Sequence, residues 1–139
     1  MLCHALIFLV TLVAPLRFEI ILPDTVRLGE PVPITLRLTN PSQKSATVYL
    51  AGRPPAFDIV VTRTDGTPVW RRLKAAVISA ILQVRVLAPG EALKFSETWR
   101  QQDDRGRAVQ PGEYRVTGIL PGDPPEEQRT RTGSLRILD

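Results

Sequence analysis

The chain has 139 residues, 43% of them hydrophobic and 23% charged, and 18 basic against 14 acidic side chains leave a net charge of +4. That is the size of one domain and the composition of an ordinary folded globule, which excludes a disordered chain and a multi-pass membrane protein. A single cysteine and a single histidine exclude an internal disulfide framework, a cysteine-based zinc site and a multi-histidine metal site, and leave little from which to build acid–base catalysis.

The first fifteen residues are apolar and lack Lys, Arg, Asp and Glu. Pro15 and Arg17 end the run short of the roughly 20 apolar residues a membrane-spanning helix needs, so no stable span is expected. Its length suits the apolar segment of an export signal, though no cation precedes it and Leu12 and Pro15 spoil the cleavage site. It reads as an imperfect or truncated signal, or else as a leading strand. Residues 1–15 are therefore set apart as a leader and residues 16–139 as one domain. Cys3, beside Leu2, reads as a small apolar filler rather than a reactive thiol.

From Arg17 onward the dominant signal is period 2, the mark of half-buried strands. Residues 18–22 make a short first candidate. Residues 32–39 alternate cleanly, with Ile34, Leu36 and Leu38 on one face and Thr35, Arg37 and Thr39 on the other. A further short strand is expected at 46–50. Residues 57–63 put Phe57, Ile59 and Val61 inward, and a turn at Asp65-Gly66 returns the chain to a strand at 69–71, the strongest hairpin signal in the sequence. Residues 74–87 are ambiguous: their alanines favour a short helix over 75–80, and the β-branched valines favour a strand over 83–87.

Residues 92–100 carry Leu93, Phe95 and Trp99 on an inner face that Glu97 interrupts. Tyr114, Val116 and Gly118 mark the next inner face, and Leu135 with Ile137 the last. Asn40-Pro-Ser42, Gly52-Arg-Pro-Pro55, Pro89-Gly90, Asp103-Asp-Arg-Gly106, Pro111-Gly112 and Pro121-Gly-Asp-Pro-Pro125 are turn chemistry between these runs. Short strands at this spacing, punctuated by 13 prolines, predict a single antiparallel β-sandwich of about seven to eight strands. Tyr114 follows Pro111-Gly112 at the start of a late strand. There a sandwich places a corner tyrosine whose hydroxyl bonds to upstream backbone.

The side chains offer little chemistry. His4, the one candidate base, lies in the leader, and none of the five serines sits in a nucleophile elbow. Lys44, Lys74 and Lys94 occupy surface-type contexts unsuited to a serine–lysine dyad. Asp103-Asp104 precedes a glycine but has Arg105 where a calcium loop needs an acidic ligand, so it reads as a polar turn. Glu126-Glu127 reads as a solvated loop. No cofactor cradle and no metal site are expected. The pI near 9.8 raises nucleic acid as a partner. The charges answer against it: residues 1–70 carry 6 basic and 5 acidic groups and residues 71–139 carry 12 and 9, interleaved throughout. The densest cluster, Arg71, Arg72 and Lys74, reads as a solvated strand end, and Trp70 and Trp99 as packing rather than stacking platforms.

Phe57-Asp-Ile-Val-Val-Thr-Arg-Thr-Asp-Gly-Thr-Pro-Val-Trp-Arg71 resembles the characteristic segment of the BsuPI family, the bacterial intracellular proteinase inhibitor domain. Leu87-Ala-Pro-Gly-Glu91, Trp99, Asp104-Arg-Gly106 and Val109-Gln-Pro-Gly-Glu-Tyr-Arg-Val-Thr-Gly118 fit it in the same order, and residues 36–40 match its opening strand and turn. The resemblance spans about residues 25–120 and departs from the family at 74–87, which is unusually apolar here. It implies an Ig-like sandwich with no cofactor and a protein partner such as a serine protease, while the thin catalytic inventory above argues against an enzyme.

Two functions follow. The first is a protein-binding module of the proteinase-inhibitor type, whose candidate inhibitory loop is Arg53, Pro54 and Pro55. Arg53 would enter an acidic specificity pocket and Pro54 would discourage cleavage after it. The second is an Ig-like adhesion or assembly module of the cell envelope without inhibitory activity. The apolar leader favours an exported protein, whereas the family's namesake would place it in the cytoplasm.

Overall fold

Alternating stretches become strands where their apolar face finds a second sheet to pack against. The computed structural model describes residues 16–74, 80–122 and 127–139. Among them it forms β1 (Arg17–Ile21), β2 (Thr25–Arg27), β3 (Val32–Thr39), β4 (Ala46–Ala51), β5 (Asp58–Arg63), β6 (Pro68–Arg71), β7 (Leu82–Leu87), β8 (Ala92–Trp99), β9 (Gly112–Leu120), β10 (Gln128–Arg129) and β11 (Gly133–Leu138).

One sheet runs β1-β3-β8 and the other β2-β11-β9-β5-β6, with β10 beside β9, while β4 and β7 pair as a separate ribbon. Val32, Ile34, Leu36 and Leu38 of β3 supply one side of the core; Ile59 and Val61 of β5, Val116 of β9 and Leu135 and Ile137 of β11 supply the other. The result is the expected Ig-like sandwich. The strand count exceeds seven to eight partly because β2 and β10, three and two residues long, are too short to show an alternation. The β2–β11 pair is also parallel, a local exception to the antiparallel pattern. The leader at 1–15, the helical turn expected over 75–80 except for Ala80, and Glu126 lie outside the described residues.

The turn signals work as their chemistry requires. In the β5–β6 hairpin Gly66 has a φ of 90°. The hairpin is closed by Arg63 N–H donating to Thr67 O at 2.9 Å, and the Asp65 carboxylate accepts from Thr67 N–H at 2.9 Å. After β3, the buried Asn40 amide donates to Lys44 O at 2.7 Å and Leu87 O at 2.9 Å, and its oxygen accepts from Ser42. It ties the turn to the ribbon. Gln101, buried and held at a φ of 56°, does the same at the other end. Its amide donates to Arg27 O and Glu30 O, and its oxygen accepts from Gly29 N–H.

The Tyr114 hydroxyl donates to Gln110 O at 2.5 Å, and its ring meets Trp99 edge-on with centroids 6.0 Å apart. This is the expected corner. Tyr114→Phe keeps the ring contact and loses the bond, so it should lower stability by about 1 kcal/mol, the net worth of one hydrogen bond. An unchanged thermal midpoint would show that water replaces the bond without loss.

Candidate protein-binding groove

The loop between β4 and β5 holds the predicted inhibitory residues. It is closed by Ala56 N–H donating to Ala51 O and Gly52 N–H donating to Ile81 O, each at 2.7 Å. The Gln83 amide adds a bond to Gly52 O at 2.9 Å. Glycine at 52 is required by its φ of 87°. On this frame Arg53 and Pro54 are exposed, Pro55 is half-buried, and the Arg53–Pro54 bond is cis.

Pro54 and Pro55 form one wall of an open groove of about 380 Å³. Leu50, Phe57, Leu93 and Phe95 line its apolar part, and Arg72, Arg85 and Lys94 its charged part. Arg53 stands outside it. The structure thus separates the three predicted residues, with the prolines in the groove and the arginine beside it. Arg72 braces the floor: its guanidinium lies 3.7 Å from the centre of the Phe57 ring, donates to Phe57 O at 2.8 Å, and pairs with Glu97 at 2.9 Å. Glu97, the polar residue breaking the inner face of β8, is half-buried because this arginine accompanies it. That interruption, together with the Pro54-Pro55 turn, is what points here in the sequence. Arg85 and Lys94 gave none, since the groove draws on four separate stretches of chain.

The other basic side chains of the cluster are engaged as well. Arg71 pairs with the buried Asp58 at 2.6 Å, and Lys74 donates to Asp104 O at 2.8 Å. In the turn at 103–106, the Asp103 carboxylate accepts from the N–H groups of Arg105 and Arg107, each at 2.9 Å. The Arg107 N–H chiefly holds this carboxyl below the ordinary aspartate range, with the Arg105 N–H and the two guanidinium charges adding to it. The loop's own backbone occupies the carboxylate that a cation would need. Among the described residues no group of three or more His, Cys, Asp or Glu could hold a metal ion. Trp99 is buried, and Trp70 packs on it with ring centroids 6.2 Å apart, so both serve the core.

A larger cleft of about 540 Å³ lies between β1 and residues 131–133, but its one carboxylate, Glu19, is already paired with Arg37 at 2.7 Å. The β4–β7 ribbon has an unexpected polarity. Leu82, Val84 and Val86 of β7 face outward at 59%, 58% and 62% exposure, while Leu87 fills the core. Pairing with β4 fixes this, because Val48 and Leu50 point inward opposite Arg85 and Gln83. Tyr49, opposite Val84, extends the apolar outer face.

The sequence profile of the BsuPI family, described as intracellular proteinase inhibitor, matches residues 21–125. The chain belongs to the BsuPI family. The family's Phe-Asp segment at 57–58 supplies the groove floor and the carboxylate that anchors Arg71; its Asp-Gly makes the hairpin turn; its Val-Trp packs Val69 and Trp70 against the core. These positions serve architecture first. No curated protein matches this BsuPI chain by sequence.

Among solved structures it resembles a β-glucosidase from Listeria innocua at 14% identity and a TM-score of 0.44, over 89% of this chain but 16% of that one. It also resembles the alkylpurine DNA glycosylase AlkC of Pseudomonas fluorescens at 14% identity and a TM-score of 0.46, over 88% of this chain and 31% of that one. A CARDB domain from Pyrococcus furiosus is similar at 15% identity and a TM-score of 0.45, over 89% and 93% of the two chains. This chain therefore spans well under a third of the length of the glucosidase it resembles.

Proposed function

We propose that this BsuPI chain is a proteinase inhibitor that presents the 52–55 loop to a serine protease, with Arg53 entering an acidic specificity pocket. The observation that carries this reading is an exposed arginine on a loop closed at both ends by hydrogen bonds and stiffened by two prolines. A loop that is already ordered loses little entropy on docking, and the proline after Arg53 resists attack on the preceding carbonyl. The family's description as an inhibitor supports binding rather than catalysis. In this reading the inhibitory unit is residues 16–139, with the leader at 1–15 outside it.

The test is residual activity of a panel of bacterial serine proteases titrated with the full chain, with gels to follow its cleavage. A stoichiometric loss of activity with the chain intact is expected for a trypsin-like enzyme. Arg53→Ala should weaken inhibition at least about 30-fold, as loss of a central anchor does, while the domain stays folded. Retained inhibition by Arg53→Ala would discard this loop.

A second reading, an Ig-like assembly module of the cell envelope, draws support from the exposed apolar face of the β4–β7 ribbon. It would be preferred if no protease were inhibited at high molar excess of folded protein.

A further inference from the structure

The strand β8 ends its sheet, and its pairing with β3 reveals which of its backbone groups are unused. Thr98 lies opposite Pro33, which has no N–H, and the Thr98 N–H donates instead to the Glu97 carboxylate at 2.8 Å. In an antiparallel ladder, pairs that exchange both hydrogen bonds alternate with pairs that exchange none. Thr98–Pro33 is of the second kind, and so, two and four residues back, are Ser96–Thr35 and Lys94–Arg37. The close approach of the Ser96 and Thr35 hydroxyls, 3.3 Å apart, fits the shorter spacing of such a pair. The N–H and C=O of Lys94 and Ser96 therefore point away from β3. Among the described residues no strand or loop backbone bonds to them.

Both residues line the groove. It thus combines an unpaired strand edge, an apolar wall including Leu93 and Phe95, and two cations, Arg85 and Lys94, that make no ion pair among the described residues. Glu97, the carboxylate on β8, is already held by Arg72. Exposed sheet edges are recognised by added strands, and natural proteins usually protect them with a bulge, a proline or a cover.

We propose that the outer edge of β8 binds an extended acidic peptide segment of a partner protein by strand addition. The partner's backbone pairs with Lys94 and Ser96, alternate apolar side chains enter the groove, and carboxylates between them meet Arg85 and Lys94. This site is distinct from Arg53 and does not depend on the partner being a protease.

The probe is a fluorescein-labelled, capped octapeptide alternating glutamate and valine, titrated against the full chain and followed by anisotropy. Saturable binding is expected, falling as salt is raised. The combined Arg85→Ala and Lys94→Ala change should weaken it roughly tenfold, since neither makes an ion pair among the described residues. Ser96→Pro removes an N–H that β3 does not use, so the sheet should survive while binding is lost. If that variant fails to fold, the same peptide with alternate amides N-methylated reports the backbone requirement from the partner's side, and it should not bind. Absence of binding, equal binding of a lysine–valine peptide, or indifference to N-methylation would overturn the proposal. So would a concentration-dependent dimer in sedimentation that Ser96→Pro abolishes, because a second copy would then be the occupant. The readout involves no protease, so its failure and a failure of the inhibition reading are separate results.

Discussion

Gly118→Val should lower the stability of the domain by about 3 kcal/mol, the upper part of the range for overpacking a filled core. A side chain begun at Gly118 on β9 would place its Cβ 2.3 Å from Leu36 Cδ2 and 2.9 Å from Leu36 Cδ1, across the gap between the two sheets. Leu36 has no exposed surface and cannot swing aside, so the sheets must separate or the leucine must leave its rotamer. In thermal unfolding the drop in midpoint should be on the order of 10 °C for a domain of this size. The decisive form is a double-mutant cycle. Leu36→Ala alone should destabilise by about 3 kcal/mol through the cavity it leaves, and Gly118→Ala in that background should add little, because the cavity receives the new methyl. Additive effects would mean that the two positions do not meet.

Asp58→Ala should be of similar size, about 3 kcal/mol. The Asp58 side chain is 3% exposed. One carboxylate oxygen accepts from Ile59 N–H at 2.9 Å and Leu73 N–H at 3.1 Å, and the other takes both Nε and Nη2 of Arg71 at 3.1 and 2.6 Å. Arg71 is half-exposed and can return to water when its partner is removed, so most of the loss comes from the backbone donors and from the end of β6 that they hold. Asp58→Asn keeps one acceptor oxygen and should retain roughly half of the stability at stake, though its amide turns a donor toward the guanidinium. Urea unfolding measures both. A loss under about 0.5 kcal/mol for the alanine variant would place Asp58 among ordinary surface positions and remove its structural role.

Both predictions fall on residues of the family pattern, and both are structural. Gly118 closes the stretch that begins at Val109, and Asp58 follows Phe57 in the segment that made the resemblance legible. Those positions mark a sandwich with a particular hairpin and corner, which is why the family could be recognised from sequence while the groove could not. The groove is lined by side chains from β4, the 52–57 loop, Arg72, β7 and β8, and the two of its cations without an ion pair among the described residues, Arg85 and Lys94, lie on different strands. Nothing local distinguishes Arg85 or Lys94 from other surface cations.

The alternation of apolar and polar residues by itself determined the long strands, their inward faces and the hairpin at Asp65-Gly66, because burying one face of a pleated strand imposes period 2 on any sequence that folds this way. It also determined the Tyr114 corner, whose spacing from Pro111-Gly112 is local. Only the tertiary structure decided the polarity of β7, where three apolar side chains face outward because register with β4, and not hydrophobicity, sets the direction of the pleat. It likewise decided that Glu97 is accompanied by Arg72, that Gln101 ties together the loop of residues 27–30, and that β8 is an end strand. Each of these depends on contacts between residues 25 to more than 70 positions apart, and such distances leave no periodic trace in the chain.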